Sequence, residues 1–180
     1  SLDPRLVCQF ARQQNYPVLP LYLGLQVHMC ARFFSARDCM SGPVHAILSI
    51  LAGCFQSVAW SRCFLHDVLQ KLTEQYIPAS IESWVDDLSL RLHGPAALVK
   101  RRGAQAAIFV VRQLQLRGVK VSPKSLVLGS TSEVRDHVVD EVKRATGVQL
   151  KAARVGRDLG IDSTLAKTGM LPTFKARLKK

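Results

Sequence analysis

Residues 80–93 read Ser-Ile-Glu-Ser-Trp-Val-Asp-Asp-Leu-Ser-Leu-Arg-Leu-His, two short apolar runs with only Asp86 and Asp87 between them. Ile81, Trp84 and Val85 before the acids, and Leu88, Leu90 and Leu92 after them, suit two strands. A two-residue connection can join antiparallel strands and is too short for any crossover. The pattern therefore predicts a hairpin of strands 80–85 and 88–93, ended by Gly94-Pro95, with the acidic pair at its tip. Adjacent like charges in an apolar context cost free energy unless water solvates them or a cation neutralises them. Hard divalent cations take oxygen ligands, which carboxylates on a rigid hairpin supply. The plainer reading is a solvated turn, since Asp-Asp is a common turn dipeptide.

The surrounding pattern places this hairpin between two long helices. Ser57 to Tyr76 carries Val58, Phe64, Leu65, Val68, Leu69 and Leu72 at helical spacing, and Ala96 to Leu116 is a second helix stopped by Gly118. Upstream, Asp3-Pro4 is a cap followed by a first-turn proline, with Leu6, Val7, Phe10 and Ala11 as the apolar face. Tyr16-Pro17 and Pro20 punctuate before a helical run from Leu21 to about Phe34, Ser35 to Gly42 is turn-like, and Val44 to Leu51 suits a buried strand. Downstream, Val119–Val121 and Leu126–Leu128 read as strands around Ser122-Pro123-Lys124-Ser125. A helix then opens at Ser130 or Thr131, with Glu133 as capping-box partner, and closes at Gly147. Short extended pieces follow near Val148–Val155 and Asp158–Ile161. With one strand placed in front, the order becomes βαββαβ, the split βαβ arrangement, in which the hairpin tip lies beside the C-terminal end of the first strand.

Charge divides the chain. Residues 1–96 hold 7 basic and 7 acidic side chains, whereas residues 97–180 hold 18 and 6, so the whole net charge of +12 sits in the second part. A one-sided basic surface reads as a footprint for a polyanion, nucleic acid first, or as a solvated basic face. Five cysteines, with no C-x-x-C and no zinc-ligand spacing, read as reduced core thiols of an intracellular protein, nucleus and cytoplasm not being distinguished. The opening Asp3-Pro4-Arg5 is not a basic patch before an apolar run, so no signal peptide is expected. Cys39 to Ser61 lacks Asp, Glu, Lys and Arg, but Pro43, His45, Gly53 and Gln56 interrupt it, and no membrane partner is expected.

Trp84-Val85-Asp86-Asp87 resembles the aromatic-x-Asp-Asp motif C of reverse transcriptases, with Trp84 in place of the usual Tyr or Phe. Leu51-Ala52-Gly53-Cys54-Phe55-Gln56-Ser57 resembles motif B, a Gln-Gly-x-x-x-Ser element leading into a long helix, with Gly53 and Ser57 matching and Ala52 standing where Gln is usual. Gly118 to Ser125 resembles motif D, and Asp158-Leu159-Gly160-Ile161 is similar to the Leu-Gly turn after the palm of non-LTR retroelement enzymes. The resemblance covers residues 3–162 and implies an α/β (α+β) fold, a polymerase palm with a split βαβ, ferredoxin-like antiparallel sheet and packed helices. Residues 163–180 would be a basic tail or the start of a thumb or linker.

The function implied is RNA-directed DNA polymerisation, a nucleotidyl transfer that uses two divalent metals about 3.5–4 Å apart. Asp86 would be the main magnesium (or manganese) ligand and Asp87 the secondary carboxylate, Gly53, Ser57 and Trp84 would lie at the template and nucleotide, and Lys124 would protonate the departing pyrophosphate. Without the resemblance, Gly53 is a loop glycine, Ser57 an N-cap and Lys124 a solvated turn lysine. Implied partners are an RNA template, a DNA primer and deoxynucleoside triphosphates, the primer–template being held by Lys100, Arg101, Arg102, Lys143, Arg144, Lys151, Arg154 and Arg157. Oligomeric state is open. In the family the other essential Asp lies on a first palm strand, upstream of the segment that Ser1-Leu2-Asp3-Pro4 resembles; this strand is expected to be missing, and the 180 residues are expected not to polymerise alone. The competing readings are a non-catalytic palm-like domain that binds nucleic acid or protein, and an unrelated α/β interaction domain with a solvated Asp-Asp turn.

Overall fold

The computed structural model describes residues 3–45, 56–76, 79–84, 87–158 and 161–164. They form helices and short two-stranded sheets, the mixture of α and β expected. The chain divides into two units: Ser1–Lys71, Ile81–Leu90 and Arg117–Val119 form one, and Leu72–Ser80, Arg91–Leu116 and Lys120–Lys180 the other.

In the first unit, α1 (Pro4–Gln13) starts as its sequence dictates. Asp3 Oδ1 accepts a hydrogen bond from the Arg5 N–H at 2.8 Å, and Pro4 takes a position whose missing N–H has no helical partner. α2 spans Val18–Met29 rather than 21–34. Pro20 falls in its first turn, where a proline removes no intrahelical bond, so it does not delay the start. The helix stops at Cys30 because the next residues turn to backbone pairing: Arg32 and Val44 exchange N–H···O bonds of 2.9 and 2.8 Å. Between them lies a small hairpin, β1 (Ser35–Ala36) and β2 (Cys39–Met40), within the stretch expected as a turn. Val44 is exposed, not buried as expected, and 46–51 lie outside the described residues.

α3 (Ser57–Gln75) carries Trp60, Phe64, Val68 and Leu72 inward at four-residue spacing. Trp60 and Phe64 join Val7, Ala11 and Leu21 in the core of the first unit. Val58, expected on that face, is exposed, because the inward stripe runs through Trp60 instead. α2 approaches α3 closely at Gly24, where a Cβ would stand 2.5 Å from both Gln56 Oε1 and Trp60 Cζ2. The free cysteines are only partly core thiols: Cys8 and Cys63 are half-buried, whereas Cys30 and Cys39 are exposed.

In the second unit, α4 (Ala96–Leu116) and α5 (Ser132–Thr146) pack through Ala104, Val111, Val138, Val139 and Val142, with Leu150 completing the cluster. α5 has both expected ends. Thr131 Oγ accepts from the Val134 N–H at 3.3 Å, and Gly147, at φ 74, closes the helix with its N–H on the Lys143 carbonyl. Glu133 does not complete a capping box, because it sits at the second helical position rather than the third; its carboxylate takes the Lys100 ammonium of α4. The last carbonyls of α5 are satisfied from α4: Arg112 donates to the Ala145 carbonyl at 3.3 Å and Gln115 to that of Thr146 at 3.1 Å.

β5 (Leu126–Leu128) and β6 (Lys151–Ala153) pair in parallel, with α5 as the crossover. β7 (Val155–Asp158) and β8 (Ile161–Thr164) form an antiparallel pair. Val119–Val121, expected as a strand, is irregular: Val119 packs into the core of the first unit and Val121 into that of the second. No helix among the described residues is long and apolar enough to cross a membrane.

Candidate functional site

β3 (Ala79–Trp84) and β4 (Asp87–Leu92) are hydrogen-bonded neighbours, each within one or two residues of its expected bounds. Only residues 85 and 86 separate them, so the pairing is antiparallel. Trp84 is the last residue of β3. Asp87 opens β4 with its side chain exposed, while Leu88, Ser89 and Leu90 after it are half-buried. Asp86, the expected main ligand, lies outside the described residues, as does Gly53. Asp87 offers oxygen donors of the hardness a magnesium ion prefers. A single carboxylate does not make a site, and among the described residues no three His, Cys, Asp or Glu side chains cluster to hold a metal.

Ser57 lies within the first turn of α3 and is half-buried. Gln56 takes the capping place expected of Ser57, since its carbonyl accepts from the Trp60 N–H at 2.9 Å. The Gln-Gly-x-x-x-Ser pattern has a second register here, Gln56-Ser57-Val58-Ala59-Trp60-Ser61, which restores the glutamine and puts Ser57 where glycine is usual. Gln56 and Ser61 are each only 8% exposed. No local pattern in the sequence marks either residue for burial. Gln56 Oε1 and Trp60 Nε1 are buried without a hydrogen-bond partner among the described residues.

Lys124 belongs to the second unit, in the turn of 122–125. The Ser125 N–H bonds the Ser122 carbonyl at 2.9 Å, the Lys124 N–H bonds Ser122 Oγ at 3.2 Å, and the lysine side chain is exposed. Among the described basic residues of this unit, some are engaged and others are exposed without an ion pair. Lys100 is paired with Glu133, Arg144 with Glu141 at 2.5 Å, and Arg112 is engaged at the end of α5. Glu133 is held below the usual carboxylate range by its hydrogen bond from Lys100, with the charge of that ammonium adding to it. Arg101, Lys120, Lys124, Lys143 and Lys151 are exposed and make no ion pair among the described residues. Among the described residues of this unit, these five can meet a polyanion without breaking an ion pair. No family model, no curated protein and no solved structure matches this chain.

Proposed function

We propose that this chain is part of a reverse-transcriptase-like palm, and that its hairpin serves the transfer of nucleotides to a primer 3′ end. The observation that carries the reading is the order and length of the elements around the acidic pair. A 19-residue helix, two paired six-residue strands joined through two residues, and a 21-residue helix follow one another as the resemblance requires. In a split βαβ sheet the first strand stands between the hairpin and the strand after the second helix, so the latter two do not pair. Among the described residues β4 pairs with β3, and β5 pairs in parallel with β6. Asp86 and Asp87, with one further carboxylate from the first strand, would hold the divalent ions, whose role when bound is to activate the 3′-oxygen and clamp the phosphates. The exposed cations of the second unit would hold duplex backbone without reading its sequence.

The test is primer extension on RNA and DNA templates with magnesium or manganese, by the full-length protein that contains this chain. Template-dependent extension abolished in Asp86→Ala, with duplex binding retained, is the expected result. Extension that survives Asp86→Ala would remove the hairpin from the chemistry. A second reading, a palm-like domain that binds nucleic acid or protein without catalysis, is favoured by Gln56, whose side chain is buried against Gly24 and Trp60 rather than presented at a surface. That reading expects duplex binding with no extension and no effect of Asp86→Ala on metal-dependent thermal stability.

A further inference from the structure

α2 is covered on one side only. Leu21 and His28 are buried, whereas Val18, Leu19, Tyr22, Leu23, Val27 and Met29 are 54 to 70% exposed. Leu19, Tyr22, Leu23 and Val27 lie on the side away from Leu21 and His28, as helical spacing requires. Together the six side chains leave on the order of 600 Å² of mostly apolar surface in water, at the top of what single-chain proteins expose in one patch. From Gln13 to Ala31 there is no Asp, Glu, Lys or Arg.

We infer that this face of α2 binds α2 of a second copy of the chain, forming a symmetric dimer. Two observations select that occupant. The first is area: with the flanking Pro20, Gln26 and Cys30, the face approaches the roughly 800 Å² per partner of a stable interface. The second is charge. Two copies that each carry +12 repel one another, and α2 is an uncharged stretch of 12 residues through which they can meet. The stripe is self-complementary when the helices run antiparallel about Leu23. Tyr22 and Leu23 then meet their counterparts, and Met29 of each copy comes over Val18 of the other. A depression of about 300 Å³, lined by Arg12, Asn15, Tyr16, Pro17 and Val18, lies at that end to receive it.

The experiment is sedimentation equilibrium of the 180-residue chain, run at rising salt, with Leu23→Glu and Leu23→Lys variants. The wild type is expected to dimerise, and more tightly as salt screens the repulsion between copies. Each variant alone should weaken the dimer by about tenfold or more, because like charges meet at the symmetry axis; mixing the two should restore it. Recovery on mixing also shows that the variants fold. A monomeric wild type at every concentration, an open-ended series of sizes, or a dimer indifferent to both substitutions overturns the inference. So does a dimer that dissociates as salt rises, which would place the contact on charged surface.

Discussion

Arg117 Nη2 donates to Asp67 Oδ2 at 2.6 Å, and its guanidinium lies 4.9 Å from the centre of the Phe10 ring. The arginine, just past the end of α4, thus touches α3 and α1 within the first unit, with the Phe64 ring also 6.0 Å away. Its side chain is only 8% exposed, that of Asp67 40%, so the pair is screened on one side. Arg117→Met keeps the stem on the two rings but leaves Asp67 without this partner. The expected loss is about 1–2 kcal/mol, well below that for a fully buried pair. Arg117→Lys should lose nearly as much, since an ammonium lacks the flat face that packs on the rings. Urea denaturation of the two variants checks both values.

Gly24 is where α2 rests on α3. A methyl group there meets Gln56 Oε1 and Trp60 Cζ2 at 2.5 Å, and Trp60 is buried at 1% exposure, so neither helix can yield locally. Gly24→Ala should gain a few tenths of a kcal/mol in helix propensity and lose about 1–3 kcal/mol to overpacking. The net result is destabilisation, with a changed Trp60 emission. An unchanged melting temperature and spectrum would mean that α2 does not sit on α3 as described.

Much of this was legible where the determinants are local. Asp3-Pro4, Thr131 and Gly147 each act within one helical turn of themselves, and the ends they set were read from the residues alone. The β3–β4 hairpin was legible for the same reason, because a two-residue connection leaves one pairing open. An extended piece around Lys151–Ala153 was legible, but its parallel pairing with β5 was not, since that pairing depends on α5 packing behind both strands. Nor could the sequence tell Lys100 from Lys143. Both are lysines on a basic stretch, and only folding brings Glu133 to the first. Of the candidate site only the hairpin was legible, one residue out of register: Asp87, expected at the tip, opens β4, and Asp86 lies outside the described residues. The burial of Gln56 depends on Gly24, 32 residues earlier, and no local pattern announces it.

His28 gives the first unit a pH dependence with a definite sign. It is 2% exposed, its ring centre lies 5.0 Å from that of Trp60, and burial lowers its pKa below 6.5, with the charge of Arg32 adding to the effect. The folded state then holds fewer protons than the unfolded one. Stability contributed by neutral His28 is full above pH 6.5, declines as the pH falls from there to the lowered folded value, and is level below it. His28→Gln should flatten this part of the profile. Unfolding midpoints at a series of pH values, followed by tryptophan emission, measure it; a midpoint that rises on acidification through the same window contradicts the assignment.

The two groups of cations make different predictions for nucleic acid. Lys143 and Lys151 are exposed without an ion pair among the described residues, so a phosphate bound there displaces only water and counterions. Lys100 would have to leave Glu133, a carboxylate that its own ammonium keeps ionised. Binding of an RNA–DNA duplex should weaken as salt rises, and Lys143→Gln or Lys151→Gln should each lower the slope of log K against log salt by about 0.9 if the residue meets one phosphate. Lys100→Gln should leave the slope nearly unchanged while shifting the acid side of the stability profile, because Glu133 then returns toward its ordinary pKa. Fluorescence anisotropy at four or five salt concentrations separates the cases. Equal slopes for all three variants would mean that the ion pair opens on binding and that pairing in the free protein does not choose the phosphate contacts.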